Sequence, residues 1–291
     1  MDTKFSFCIN FSGITVKFSL PTQVNLPNSF NELMCKCSEK ADVEYTISLI
    51  SHPLNPQGVL VFNDRSIKVY KTPQGYLRIY NPLTAEDGCQ VACLISPHGE
   101  NVMYYPASEW EEYRKYWHVN HLLCGEEMLR HMDALLLHSS LVMIDGHTVL
   151  FSGESGAGKS TQANLWKEHL GAEILNGDRT VIRKKGDKFY GGGSIWSGTS
   201  EIFSPKEAPI KGIFLLKKGT ENSVRKMGAD AFPRLFSETT LNSWNTEFMD
   251  KITSIHTELI EKIPIYELTC RMDKEAAELG YNTLFSKEEA V

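Results

Sequence analysis

The 291-residue chain contains no run of eighteen apolar residues, so no segment has the length and hydropathy of a membrane-spanning helix. It also lacks an excess of basic charge: 30 Lys and Arg stand against 36 Asp and Glu, a net charge of −6. That balance argues against a nucleic-acid partner, and the short basic stretch RKKGDK at 183–188 reads as a solvated turn. A cysteine framework is missing too. The seven cysteines (8, 35, 37, 89, 93, 124 and 270) are odd in number, and no second pair follows Cys35 and Cys37 at a zinc-like distance. Reduced thiols in a cytoplasmic protein are therefore expected, and MDTKFSFCINFSG shows no basic-then-apolar signal segment. Neither an internal repeat nor a low-complexity linker interrupts the chain.

What is present is the composition of an ordinary globular protein, 42% apolar and 23% charged, long enough for two modest domains or for one with an appendage. Up to about residue 107 the pattern is of short strands broken by turn residues. FSGITVKFSL alternates, VEYTISLI is β-branched, VLVFNDRSIKVY reads as a hairpin about Asn63-Asp64, and YLRIY and CQVACLIS continue a mainly antiparallel meander. From Ser108 the period changes. Aromatic and aliphatic residues return every three or four positions, with Ser108 and Glu111 as a capping box, which predicts one or two connecting helices over 108–137. Trp110, Tyr113, Tyr116 and Trp117 read as a packed face. His118, His121 and His131 lack the carboxylate–histidine pattern of a zinc enzyme.

From His138 to the end, residues 138–291 read as an α/β nucleotide-binding domain with much antiparallel content. LVMID and HTVLFSG flank a tight Asp145-Gly146 turn, and a helix over 160–170 stops at Gly171. AEILN, TVIRKKGDKFYGGG, IKGIFLLKKG and PIYELTC are strands, with helices at about 230–261 and at KEAAELGYNTLF.

Between the second strand and the first of these helices lies GESGAGKST, Gly153–Thr161, which matches G-x-x-x-x-G-K-[ST]. A Gly-rich turn opening a helix aims several backbone N–H groups at one point, where the helix dipole also favours an anion. Gly153, Ser155, Gly156, Ala157 and Gly158 form the cradle and Thr161 follows it; Lys159 reaches the β- and γ-phosphates, and the Ser160 hydroxyl is placed to ligate Mg2+. No N-K-x-D element of a GTPase and no L-S-G-G-Q signature of a transporter motor occurs. Instead an acid follows early, in ILNGDRTVI: Asp178, at a strand end, is a candidate to hold metal or accept a proton from a hydroxyl substrate.

The block HSSLVMIDGHTVLFSGESGAGKSTQANLWKEHLGAEILNGDR resembles the catalytic core of the HPr kinase/phosphorylase family, which shares the fold group of phosphoenolpyruvate carboxykinase. His138, Asp145-Gly146, the loop and Asp178-Arg179 fall at matching places, and the similarity covers roughly residues 136–220. The resemblance implies a P-loop carboxykinase-like mixed sheet with flanking helices, preceded here by a β-rich region unlike the family's usual N-terminal domain. It implies ATP and Mg2+ as cofactors, a hydroxyl-bearing peptide, protein or small-molecule acceptor, assembly into a homo-oligomer, and catalytic roles for His138, Lys159, Asp178 and Arg179. Where the family has an acidic pair, this chain reads Gly177-Asp178. Two registers stay open: one loses the usual base, and the other, using the carboxykinase Gly-Asp, places Arg179 at the second acid.

Glu201, in GGGSIWSGTSEIF, is a loose match to the family's metal-associated glutamate and equally a surface charge. Trp196 reads as a plug or a stacking platform, and Ser197 and Thr199 as phosphate donors or turn caps. Arg225, Lys226 and Arg234 either face the phosphates or sit on a solvated surface. The glycine-rich signature of the bifunctional enzymes is not reproduced after Glu201, which speaks against phosphorylase activity. An ATP-dependent kinase is the leading expectation. A carboxykinase is disfavoured by length, and the non-enzyme alternative is a nucleotide-gated regulatory or peptide-binding module.

Overall fold

The computed structural model describes residues 5–37, 40–84, 87–115, 117, 119–120 and 122–286, and only the backbone of 81–84. Tyr116, His118 and His121 lie outside the described residues. The chain divides into two compact units: Met1–Asn10, Ile14–His131 and Asn242–Thr246, and Phe11–Gly13, Met132–Leu241 and Glu247–Val291. None of the described helices is long and apolar enough to cross a membrane.

The first unit is built on nine strands: β1 (Phe5–Phe11), β2 (Ile14–Leu20), β3 (Met34–Cys35), β4 (Val43–Ile50), β5 (Val59–Asn63), β6 (Ile67–Thr72), β7 (Gly75–Thr84), β8 (Gln90–Ile95) and β9 (Glu100–Pro106). Their order is β3-β1-β2-β4-β9-β8-β7-β6-β5. From β5 to β9 each strand is antiparallel to the next, as alternation and turn residues predict. The meander reading fails at β4, which pairs in parallel with both β2 and β9. After β4 the chain crosses to the far edge and folds back strand by strand, so the fifth, β9, arrives beside β4 running the same way. Phe18 stacks between Phe7 and Tyr45 at centroid distances of 5.1 and 5.5 Å, and Trp117 meets it edge-on at 5.7 Å. Trp110 and Trp117 are buried, which is the packed role their spacing suggests.

Two expectations are corrected in this unit. Cys8 and Cys37 form a disulfide, whereas Cys35, Cys89, Cys93, Cys124 and Cys270 are free thiols. Sequence spacing gave no sign of it, because the pairing is made by the sheet: β1 and β3 set Cys8 opposite Cys35, and Cys37 follows two residues on. The helical stretch is also much shorter than 108–137. Among the described residues it is reduced to a 3-10 turn at Ala107–Glu109, α2 (Trp110–Tyr113) and α3 (Gly125–Arg130), with α1 (Asn28–Glu32) earlier in the chain. Ser108 caps no helix, and its hydroxyl donates to Asp87 at 3.0 Å.

The second unit holds β10 (Ala134–Ile144), β11 (His147–Ser152), β12 (Glu173–Asn176), β13 (Arg179–Lys185), β14 (Lys188–Gly192), β15 (Glu207–Lys218), β16 (Ser223–Lys226) and β17 (Ile265–Cys270). Its helices are α4 (Lys159–Leu170), α5 (Ala231–Ser237), α6 (Thr246–Lys262) and α7 (Lys274–Phe285). β10 absorbs ALLL at 134–137, read above as helix. An apolar run buried on both faces has no periodicity to separate the two states.

This is a mixed α/β fold with flanking helices. β11, β15 and β17 run parallel at its centre. Alternate residues serve opposite faces: Val149, Phe151, Phe214 and Leu216 pack with α4 and α7, while Leu150, Ile213 and Leu215 pack with α5 and α6. β10 takes part in three ladders, with Leu141 to Met143 pairing with β12. Ala134 to His138 pair with β13, and from Ser139 onward the strand pairs with β11. The pairing with β11 begins directly after His138.

Candidate functional site

Gly153–Gly158 leave the end of β11 and deliver the chain into the first turn of α4, as the loop motif requires. Gly158 enters the helix at φ 101°, in the left-handed region, and a β-carbon there would meet Met272 Cε at 2.2 Å. Lys159 is buried, and its ammonium donates to the carbonyls of Gly153 at 2.7 Å and Glu154 at 3.2 Å. Burial lowers its pKa; Glu238 and Asp178 oppose that shift and Arg179 adds to it.

Asp178 is aimed by a local turn. The side-chain oxygen of buried Asn176, which ends β12, accepts from the backbone N–H of Asp178 at 2.9 Å and of Arg179 at 2.8 Å. One Asp178 oxygen lies 3.3 Å from His138 Nε2 and the other 3.6 Å from Arg179 Nε. Gly177 leaves no room for a side chain, because a β-carbon there would stand 2.3 Å from the Ser200 hydroxyl.

A residue that the sequence did not single out completes the cluster. Glu238 follows α5, and its Oε2 lies 3.0 Å from His138 Nδ1. The backbone holds the two together: His138 N–H donates to the Glu238 carbonyl at 2.8 Å, and Thr240 N–H to Leu136 O at 2.9 Å. Arg179 Nη1 reaches Thr240 Oγ1 at 3.2 Å. Segment 238–240 is thus stitched to β10 just ahead of its pairing with β11. Only the polar run SETT after an apolar helix marked the place, and no motif spacing linked it to His138.

Two cavities border the loop. One, of about 630 Å³, is lined by His138, Lys159, Ser160, Thr161, Asn164 and Asp178, together with Ser197 and Thr199. The other, of about 510 Å³, is lined by Gly153–Ala157, the end of β15, Arg234, Ser237, Glu238 and Glu267. Ser155 and Gly156 face both. Glu201 is exposed and lines neither. Trp196 packs edge-on against Phe11 at 5.9 Å. Arg234 is engaged by Glu267, Arg225 pairs with Asp230 at 2.9 Å, and Lys226 is exposed on β16.

Ser160 and Asp178 bring a hydroxyl and a carboxylate to one cavity. These hard oxygen donors suit Mg2+, which keeps several waters and takes few protein ligands. No cluster of three or more His, Cys, Asp or Glu with metal-binding geometry occurs among the described residues. An amine, loop amides, a carboxylate and an imidazole converge where an anion at the start of α4 would lie.

No family model and no curated protein matches the chain. Among solved structures it is similar to the HPr(Ser) kinase/phosphatase from Coxiella burnetii, with 12% sequence identity, a TM-score of 0.29, and coverage of 51% of this chain and 92% of that one.

Proposed function

We propose that the chain is an ATP-dependent kinase on a P-loop, carboxykinase-like fold, transferring the γ-phosphate to a hydroxyl of a peptide, protein or small molecule. One observation carries this reading: Lys159, Ser160, Asp178 and His138 line a single cavity at the mouth of the phosphate loop. The loop amides and Lys159 would take up the charge that spreads over the γ-oxygens. Mg2+, held by Ser160 and Asp178, would supply further neutralisation at the phosphates. Asp178, aimed by Asn176 and braced by His138 and Arg179, would orient the phosphate end of the nucleotide.

Incubating the purified protein with γ-labelled ATP and candidate acceptors should give transfer that is lost in Lys159→Ala and Asp178→Ala. Tight ATP binding with no transfer to any acceptor would overturn the reading.

A further inference from the structure

We propose that Glu238 is the catalytic carboxylate on the acceptor side of this site, and that the cavity it lines receives the acceptor hydroxyl; the inference rests on the kinase reading. The two cavities are not equivalent. In a phosphate loop the α- and β-phosphates sit over the amides at the helix start, and the lysine reaches towards the γ end. Thr161 and Asn164, on the first turns of α4, line the larger cavity, which assigns it to the nucleotide. The smaller cavity opens from Gly153 and Glu154, at the opposite end of the loop, ahead of the γ-phosphate. Glu238 belongs to its wall, whereas His138 and Asp178 belong to the nucleotide side.

Glu238 is also held as a working carboxylate would be. Its side chain is 13% exposed, and Oε2 is fixed by His138 Nδ1 at 3.0 Å. No hydrogen bond engages Oε1 among the described residues, and Glu238 lines the cavity. A second acid beside Asp178 is barred by the approach of Ser200 to Gly177, and the segment after α5 supplies one from the other flank. Among its polar and charged lining the cavity has no aromatic side chain, which suits a polar aliphatic hydroxyl better than a phenol. In the step itself, the acceptor O–H gives its proton to Glu238 as its oxygen bonds to the γ-phosphorus. The bond from that phosphorus to the β–γ bridging oxygen breaks, and ADP leaves with the electron pair.

The test uses the full chain, a fluorescent ATP analogue for binding, and γ-labelled ATP with a degenerate library of seryl peptides, water serving as the second acceptor. Glu238→Gln should lower phosphoryl transfer by about 10²–10⁴-fold while analogue affinity stays within about twofold of wild type. Ser237→Trp, which fills the smaller cavity without touching the carboxylate, should raise KM for the peptides by about tenfold or more at unchanged analogue affinity. If Glu238→Gln keeps more than about a third of the wild-type rate, or weakens the analogue as severely as Lys159→Ala, the assignment is overturned and the kinase reading stands. A wild-type protein that binds the analogue yet releases no ADP overturns both. Circular dichroism checks the fold of each variant; if Glu238→Gln is misfolded, the Ser237→Trp result decides.

Discussion

Gly177 and Ser200 approach so closely that a β-carbon on the glycine would stand 2.4 Å from Ser200 Cβ. Ser200 has little freedom to yield, since its hydroxyl donates to the Ser197 carbonyl at 2.6 Å. Gly177→Asp therefore does not create a second working acid, and it should destabilise the protein by about 1–3 kcal/mol through overpacking. Adding Ser200→Gly should recover more than half of that loss. Urea unfolding of the single and double variants measures both effects.

Metal dependence separates the roles of Lys159 and Asp178. Removing magnesium with EDTA should weaken nucleotide binding by the wild type. Asp178→Ala should bind weakly whether or not magnesium is present, while Lys159→Ala keeps its response to the metal at lower affinity. Titrations of a fluorescent nucleotide with and without magnesium report this directly. Loss of the lysine should also cost transfer about 10²-fold or more, as removal of a transition-state charge partner does.

His256 makes the fold sensitive to acid. It is fully buried, edge-on to the stacked pair Phe232 and Phe236, with Nε2 2.8 Å from Thr239 Oγ1, and burial lowers its pKa from 6.5 to about 4. The unfolded chain thus binds the proton first as pH falls. Stability from this group is complete above about pH 6.5 and is lost progressively towards pH 4, by an amount on the order of 3 kcal/mol. The urea midpoint should fall between pH 7 and pH 5, and by less in His256→Gln. Because Thr239 adjoins Glu238, transfer activity should fall over the same range.

The Cys8–Cys37 disulfide closes a loop with a sequence separation of 29. Chain-entropy arguments give about 3–4 kcal/mol for a loop of that length. A reducing agent, or Cys8→Ala with Cys37→Ala, should lower the denaturation midpoint of the N-terminal unit by a corresponding amount, read from near-ultraviolet circular dichroism of its aromatic cluster. The double variant should no longer respond to the reducing agent.

The parts of the fold legible in the sequence were those with local chemistry. GESGAGKST, the Asp145-Gly146 hairpin and the Gly171 stop each carry their signal within a few residues, and β11, α4 and the tight turn occur where that signal lies. Non-local features were not legible. The parallel pairing of β4 with β9 and the Cys8–Cys37 bridge depend on which strands meet across the sheet. ALLL at 134–137 could not be told from helix because it is buried all round. Glu238 is 100 residues from His138, and only the added pairing of 238–240 with β10 brings them together.

That separation has a consequence in time. Ribosomes add roughly 5–20 residues each second, so about 5–20 s pass between synthesis of His138 and of Glu238. β11 meets its parallel neighbour β15 only after some of that interval, and β17 emerges later still. A nascent chain therefore displays the complete phosphate-loop sequence before it possesses either the sheet that supports the loop or the carboxylate on its far side. The groups that the kinase reading requires are all present only when the last third of the chain has arrived.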